Sequence, residues 1–472
     1  MQEQTEQISG IHGLILSIAN VVTYIVLGII LIFFFISTYS GWGIRGVIMF
    51  AMTLLGFLFV AFLVGFILSQ LFPDRRSSQF AMLFNIIEGV LILIITLAGV
   101  ELAKNTTAAV GLFDGQGVYA TIKDILGGNT LVLNKEGTPG FITKPGLYWV
   151  TAFASSVLKS SGGGEGAMSS FILGVHVICA FITYRVSRTV SGRVASVAVY
   201  AAMMLIPSQV CSGSVICLES FAALFVMLNM LIFAYSRRLT RMEQSTELRL
   251  GLTALSALAL GVAMSMEPAA LILPFAECYY VCAYQRNRRK INPDTPDMRA
   301  KTSLILVIGS FAVFFILTLV RAIKLSASFF EVMGGYLSVF KFNAHPFLNV
   351  PLVWSTDSYA DAALYFHSPY SNQIAYGCVL GSAFICVILS WVLKDAEFFV
   401  ARIYLLMSVF VTFFSGEDTV EHISCFCVMV VLGGALFEGV YSALRLRAMD
   451  VMKAKESAKE FLERITEDDD DD

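Results

Sequence analysis

Apolar stretches as long as a bilayer is thick recur along this chain, and no other feature limits its fold so strongly. Residues 11–37 contain no Asp, Glu, Lys or Arg at all. A helix needs about 20 mostly apolar residues to cross the hydrocarbon core. Twelve segments meet or approach that length: 11–37, 43–71, 80–102, 168–184, 194–210, 215–234, 250–266, 268–284, 303–323, 372–393, 398–415 and 422–443. Only 14% of the 472 residues are charged and 57% are hydrophobic, whereas about a quarter of a soluble domain is charged. A soluble globular enzyme, a disordered protein, a collagen and a disulfide scaffold are excluded. The net charge of −3 gives no bulk basic surface for nucleic acid. The expected fold is an all-α polytopic membrane protein of about twelve transmembrane helices.

The basic residues give the orientation, because Lys and Arg concentrate in cytoplasmic loops. With twelve spans and a cytoplasmic N-terminus, Arg75-Arg76, Arg185, Arg188 and Arg193, Arg237, Arg238, Arg241 and Arg249, Arg286 to Lys290, and Lys394 all fall on one side. A miscount by one span would scatter them. The seventh and eighth spans are parted only at Glu267-Pro268, where proline breaks the helix. The first run is too long for a removed signal peptide and is read as an anchor. Both termini are expected in the cytoplasm, and the short loops point to a bacterial plasma membrane.

This count divides the chain into an N-terminal three-helix membrane segment (1–102), a first extracytoplasmic loop (103–167), central transmembrane helices (168–323), a second extracytoplasmic loop (324–371), C-terminal transmembrane helices (372–443) and an acidic cytoplasmic tail (444–472). The large first outer loop carries apolar residues at helical spacing. Val118, Ile122, Ile125 and Leu126 suggest one interfacial helix, and residues 147–158 a second, with Tyr148 and Trp149 at headgroup level. Lys144-Pro145 reads as the start of that second helix, where proline is favoured. Ser160 to Gly164 form a flexible break.

Unusual polar residues gather on the outer side: Asp114 and Lys144 in the first loop, Glu219 and Glu267 at outer ends of spans, His345 in the second loop and His422 at the start of the last span. Ionisable groups at membrane depth are costly and point to function. Phe113-Asp114-Gly115 opens the first interfacial segment and Tyr119 follows it. Asp114 suits a turn residue or a general base at the membrane surface, and Lys144 a helix-start residue or a cation for phosphate. The second loop holds His345-Pro346-Phe347, Pro351 and Trp354. The nine Cys show no CxxC spacing and read as small buried hydrophobes. No metal-ligand spacing, Walker motif or Rossmann motif stands out, so neither a metal nor a cofactor is expected.

In order, these elements resemble the protein O-mannosyltransferase-like family of GT-C membrane glycosyltransferases (glycosyltransferase family 39), across roughly residues 105–440. Phe113-Asp114-Gly115 is similar to the family's first-loop acidic pair, and Lys144-Pro145-Gly146-Leu147 to its motif before an interfacial helix. Ala259 to Ala263 is similar to its Gly-rich span, His345-Pro346-Phe347 with Trp354 to its His-Pro-aromatic loop, and Val420-Glu421-His422 to its late Tyr-His motif. The chain departs from that pattern at Gly115, at Glu267-Pro268 in place of a Lys, and in two additional N-terminal spans.

The resemblance implies a GT-C-like fold and a sugar donor carried on polyprenyl phosphate in the bilayer. It implies transfer, with inversion, to an extracytoplasmic protein, lipid or glycan. Asp114 would act as general base and Glu219 would orient the acceptor or support Asp114. Lys144 and His345 would neutralise the departing phosphate, His422 would bind phosphate, and Tyr119 and Trp354 would complete the substrate and lipid-phosphate site. The alternatives are an envelope polysaccharide polymerase or ligase, a lipid or solute transporter, and a non-catalytic GT-C-like assembly partner.

Overall fold

The computed structural model describes residues 11–39, 78–105, 145–160, 165–206, 209–210, 218–241, 246–291, 297–338, 379–388, 399–414 and 427–435, with isolated positions at 142, 213 and between 44 and 67. Every element among them is helical. In chain order they are α1 (Ile11–Tyr39), α2 (Ser78–Asn105), α3 (Pro145–Ser160), α4 (Glu165–Val190), α5 (Arg193–Leu205), α6 (Leu218–Arg241), α7 (Thr246–Met266), a 3-10 turn (Pro268–Ile272), α8 (Leu273–Ile291), α9 (Arg299–Lys324), α10 (Phe329–Leu337) and α11 (Phe399–Phe414). Residues 379–388 and 427–435 are also helical.

Among the described residues, five stretches within α1, α2, α4, α7 and α9 are long and apolar enough to cross a membrane, and the chain is a membrane-embedded helical protein. Only helices satisfy every backbone group within one segment when no water is available. Four shorter apolar helices, Arg193–Leu205, Phe221–Arg237, Val379–Ile388 and Phe399–Val411, fall where further spans are expected. The expected span 268–284 has a different form. It is the 3-10 turn followed by α8, a helix carrying Glu277, Gln285 and Arg286.

Side-chain contacts fix the relative directions of the helices. His12, at the start of α1, lies 2.9 Å from the Tyr279 hydroxyl and 3.5 Å from Arg286 near the end of α8. Phe171 stacks on Phe221 and Arg185 donates to Tyr235, so α4 and α6 run parallel. Along α2 and α5, Arg193 donates to Asn85 (2.6 Å) and Thr96 meets Tyr200 (2.7 Å), so these two are parallel as well. Glu88 of α2 pairs with Arg188 at 3.0 Å and Arg193 at 3.7 Å, and accepts a bond from Tyr184. Arg185, Arg188, Arg193, Arg237, Arg249 and Arg286 therefore converge on the end from which α1 starts. We call it the basic end.

Small residues set the closest helix approaches, as is common in membrane bundles. A Cβ on Gly261 of α7 would meet the Ser310 carbonyl at 2.7 Å and Val313 Cβ at 2.5 Å on α9. One on Gly99 of α2 would meet the Met204 carbonyl of α5 at 2.8 Å. Many outward residues of α2 are apolar and exposed, among them Leu93, Ile94 and Leu97, which suits a lipid-facing surface.

Candidate functional site

The site lies away from the basic end, where α3 packs across the ends of other helices. α3 begins at Pro145, the expected helix-start proline, and stops at Ser160, with α4 starting at Glu165. Phe153 of α3 packs on Phe171 of α4 and Phe221 of α6, and Gly146 lies against the Met266 carbonyl at the end of α7. Tyr148 is only 3% exposed and packs with Leu325 and Ile142. The sequence places Tyr148 at headgroup level, but the structure turns it into the protein, because α3 is covered on this face by the α9–α10 connection.

Beneath α3 the chain is broken at Glu267. Helix α7 ends at Met266, Glu267 is extended (φ −130°, ψ 119°), and Pro268 occupies the first position of the 3-10 turn. Proline has no N–H, so the carbonyl of Met264, four residues earlier, lacks its helical donor. Tyr336 of α10 supplies one, its hydroxyl donating to that carbonyl at 2.6 Å. The Glu267 carboxylate accepts a bond from the Tyr404 hydroxyl at 2.7 Å. Tyr404 belongs to the first half of α11, which runs away from the basic end. Glu267 thus directly follows the last residue of α7, at the helix end where the sequence places it, and is partly buried.

Arg321 completes the cluster and was not foreseen from sequence. It is 2% exposed, near the last turn of α9. One Nη donates to the Val332 carbonyl at 3.3 Å, and Nε has no hydrogen-bond partner among the described residues. It forms no ion pair among the described residues. Its charge is felt by Tyr148 on one side and Tyr336 on the other. Burial pushes the Tyr148 phenol up, with Arg321 pulling it partly back. Burial pushes Tyr336 up still further, with Arg321 opposing and Glu267 reinforcing the rise. Both phenols are therefore neutral hydrogen-bond donors at neutral pH. A buried guanidinium with an unsatisfied N–H suits an incoming anion, phosphate in particular, and the nearby carboxylate suits a proton or a hydroxyl donor.

Of the sequence candidates, Glu219 falls in the first turn of α6, two residues from Phe221 and hence at the same end as α3. Asp114, Tyr119, Lys144, His345, Trp354 and His422 lie outside the described residues, as does the expected interfacial helix at 118–126. The sequence signal for Arg321 was weak, since a basic residue near a span end ordinarily reads as a side chain reaching for the interface. Burial of its guanidinium depends on α3 and α10, which are remote in sequence. No protein-family model matches the chain, and no curated protein matches it either.

Proposed function

We propose that this protein is an integral-membrane glycosyltransferase that moves a sugar from a polyprenyl-phosphate donor to an extracytoplasmic acceptor, with inversion at the anomeric carbon. The observation that supports this reading best is Arg321, a buried cation with no ion pair among the described residues, beneath an amphipathic helix at the end opposite the basic end. A lipid-linked donor needs an apolar groove for its tail and a fixed positive charge for its phosphate. A preorganised cation stabilises the charge that develops on a departing phosphate more effectively in a low-dielectric site than in water.

In this reading Arg321 acts with Lys144 and His345 on the phosphate. Asp114 takes the proton of the acceptor hydroxyl, and Glu219 orients the acceptor. Tyr119, Trp354 and His422 complete the donor site. Glu267 holds the broken helix in place through Tyr404. The basic end lies in the cytoplasm of a bacterial plasma membrane with both termini, so that transfer occurs outside. Binding of a short-chain polyprenyl phosphate to the purified protein tests the assignment. Binding should be lost in Arg321→Gln and partly retained in Arg321→Lys, with the melting temperature held. Equal binding in all three removes Arg321 from the donor site.

A further inference from the structure

Glu277 is fully buried in the first half of α8, outside the site described above. Its Oε1 accepts a hydrogen bond from Asn229 Nδ2 of α6 at 2.5 Å. Its Oε2 has no hydrogen-bond partner among the described residues. Asn229 is itself buried, and its Oδ1 accepts from Ser256 of α7 at 2.6 Å. Three helices thus place a carboxyl, an amide and a hydroxyl in one line within the apolar core.

An ionised carboxylate offers about four acceptor positions, and here only two neutral donors reach it, the Asn229 amide and the Ser256 hydroxyl. No ion pair reaches it among the described residues. Charged or titratable groups on the surrounding elements include His12 and Tyr24 on α1, Tyr235 and Arg237 on α6, Glu247 and Arg249 on α7, Glu267 at the break, Arg299, Lys301 and Arg321 on α9, and Arg402 and Tyr404 on α11, with Cys278, Tyr280 and Arg286 on α8 itself. None of them hydrogen-bonds to Glu277. A lone negative charge in such surroundings is strongly disfavoured, whereas a proton on Oε2 removes the charge and leaves the Asn229 bond intact.

Ser256 also lines a cavity of about 30 Å³ toward the basic end, together with Arg237, Arg249, Thr253, Gln285 and Thr302. That is room for about one water by the same measure. The Oε1 of Gln285, 9% exposed, has no partner among the described residues, so the cavity presents an acceptor and several hydroxyls to water. Only two hydrogen bonds separate this cavity from Glu277.

We propose that Glu277 is a proton-binding site in the membrane-embedded core, loaded from the basic end through the cavity that Ser256 lines. Loading adds one proton to the carboxylate; the proton arrives from solution as hydronium in that cavity and leaves a water molecule behind. The site is independent of the transferase reading and uses none of its residues.

The test uses the purified full chain in lipid nanodiscs and a hydrophobic carbodiimide, dicyclohexylcarbodiimide, which reacts with protonated carboxyls reached from the apolar phase. At about pH 7, where exposed carboxyls are ionised, the peptide containing Glu277 should gain one adduct in the wild type and none in Glu277→Gln. A water-soluble carbodiimide should leave that peptide unmodified. Infrared spectra should show a protonated-carboxyl C=O band that is missing in Glu277→Gln and that shifts when the sample is transferred to D2O. Ser256→Leu, which fills the cavity wall, should slow that shift at least several-fold. Absence of both adduct and band in the wild type overturns the proposal. So does suppression of both by sodium at constant pH, since a metal cation would then hold the oxygen. An unchanged rate in Ser256→Leu overturns the assigned route.

Discussion

The hydroxyl of Tyr336 donates to the carbonyl of Met264 at 2.6 Å, the carbonyl that Pro268 deprives of its helical donor. This bond ties α10 to the broken end of α7 and so holds the floor of the candidate site. Removing the donor leaves a buried carbonyl unsatisfied, at a cost of about 1–3 kcal/mol. Tyr336→Phe should lower the melting temperature in detergent and weaken donor binding together. An unchanged melting temperature would show that the carbonyl finds another donor.

A side chain also caps a carbonyl at the end of α5. The Met203 carbonyl lies four residues before Pro207 and receives the Nε2 of the buried His176 at 3.1 Å. His176→Gln can keep a donor there, and His176→Leu cannot. The Leu variant should be the less stable of the two by about 1–3 kcal/mol, read from thermal unfolding in detergent. Equal stability would assign His176 a role other than capping α5.

Close packing of α7 on α9 depends on the missing side chain of Gly261. Gly261→Leu has to displace backbone as well as Val313, because the nearest obstacles include the Ser310 carbonyl. Overpacking of this kind costs about 1–3 kcal/mol and often more. The variant should show reduced membrane levels and a lower melting temperature, whereas Gly251→Leu, with open space around it, should resemble the wild type. Equal behaviour of the two variants would mean that α7 and α9 are not in this contact in the membrane.

Sidedness is open to direct labelling. Single cysteines at His12, Arg188 and Arg286 should all react with a membrane-impermeant thiol reagent from the same face, and a cysteine at Ser326 from the other. The chain's own cysteines are replaced by serine or alanine for this measurement. A mixed pattern among the first three would contradict the convergence of α1, α4 and α8 on one basic end.

Much of the helical layout was readable in the sequence because it depends on local rules. Pro145 starts α3 and Pro268 follows the end of α7, each through the backbone restrictions of one residue. The Arg clusters marked one end of the bundle because charged side chains avoid hydrocarbon wherever they fall. Depth and lateral packing were not readable. Arg321 sits near a span end like many interfacial basic residues, and only the remote helices α3 and α10 enclose it. Glu277 stands in Phe275-Ala276-Glu277-Cys278 with no motif around it, and its partners come from α6 and α7. Tyr148 has the composition of an interfacial aromatic, but its burial depends on Leu325 and Ile142, which are likewise distant in sequence.

Transfer of sugar outside the cytoplasm is the central claim, and the envelope glycan profile of a deletion strain tests it most directly. The strain is complemented with the wild-type chain, with Asp114→Asn or with Arg321→Gln, at membrane levels matched by blot. The account predicts that one sugar disappears on deletion, returns with the wild type and stays absent with either variant. A profile unchanged by deletion, or fully restored by both variants, would contradict it.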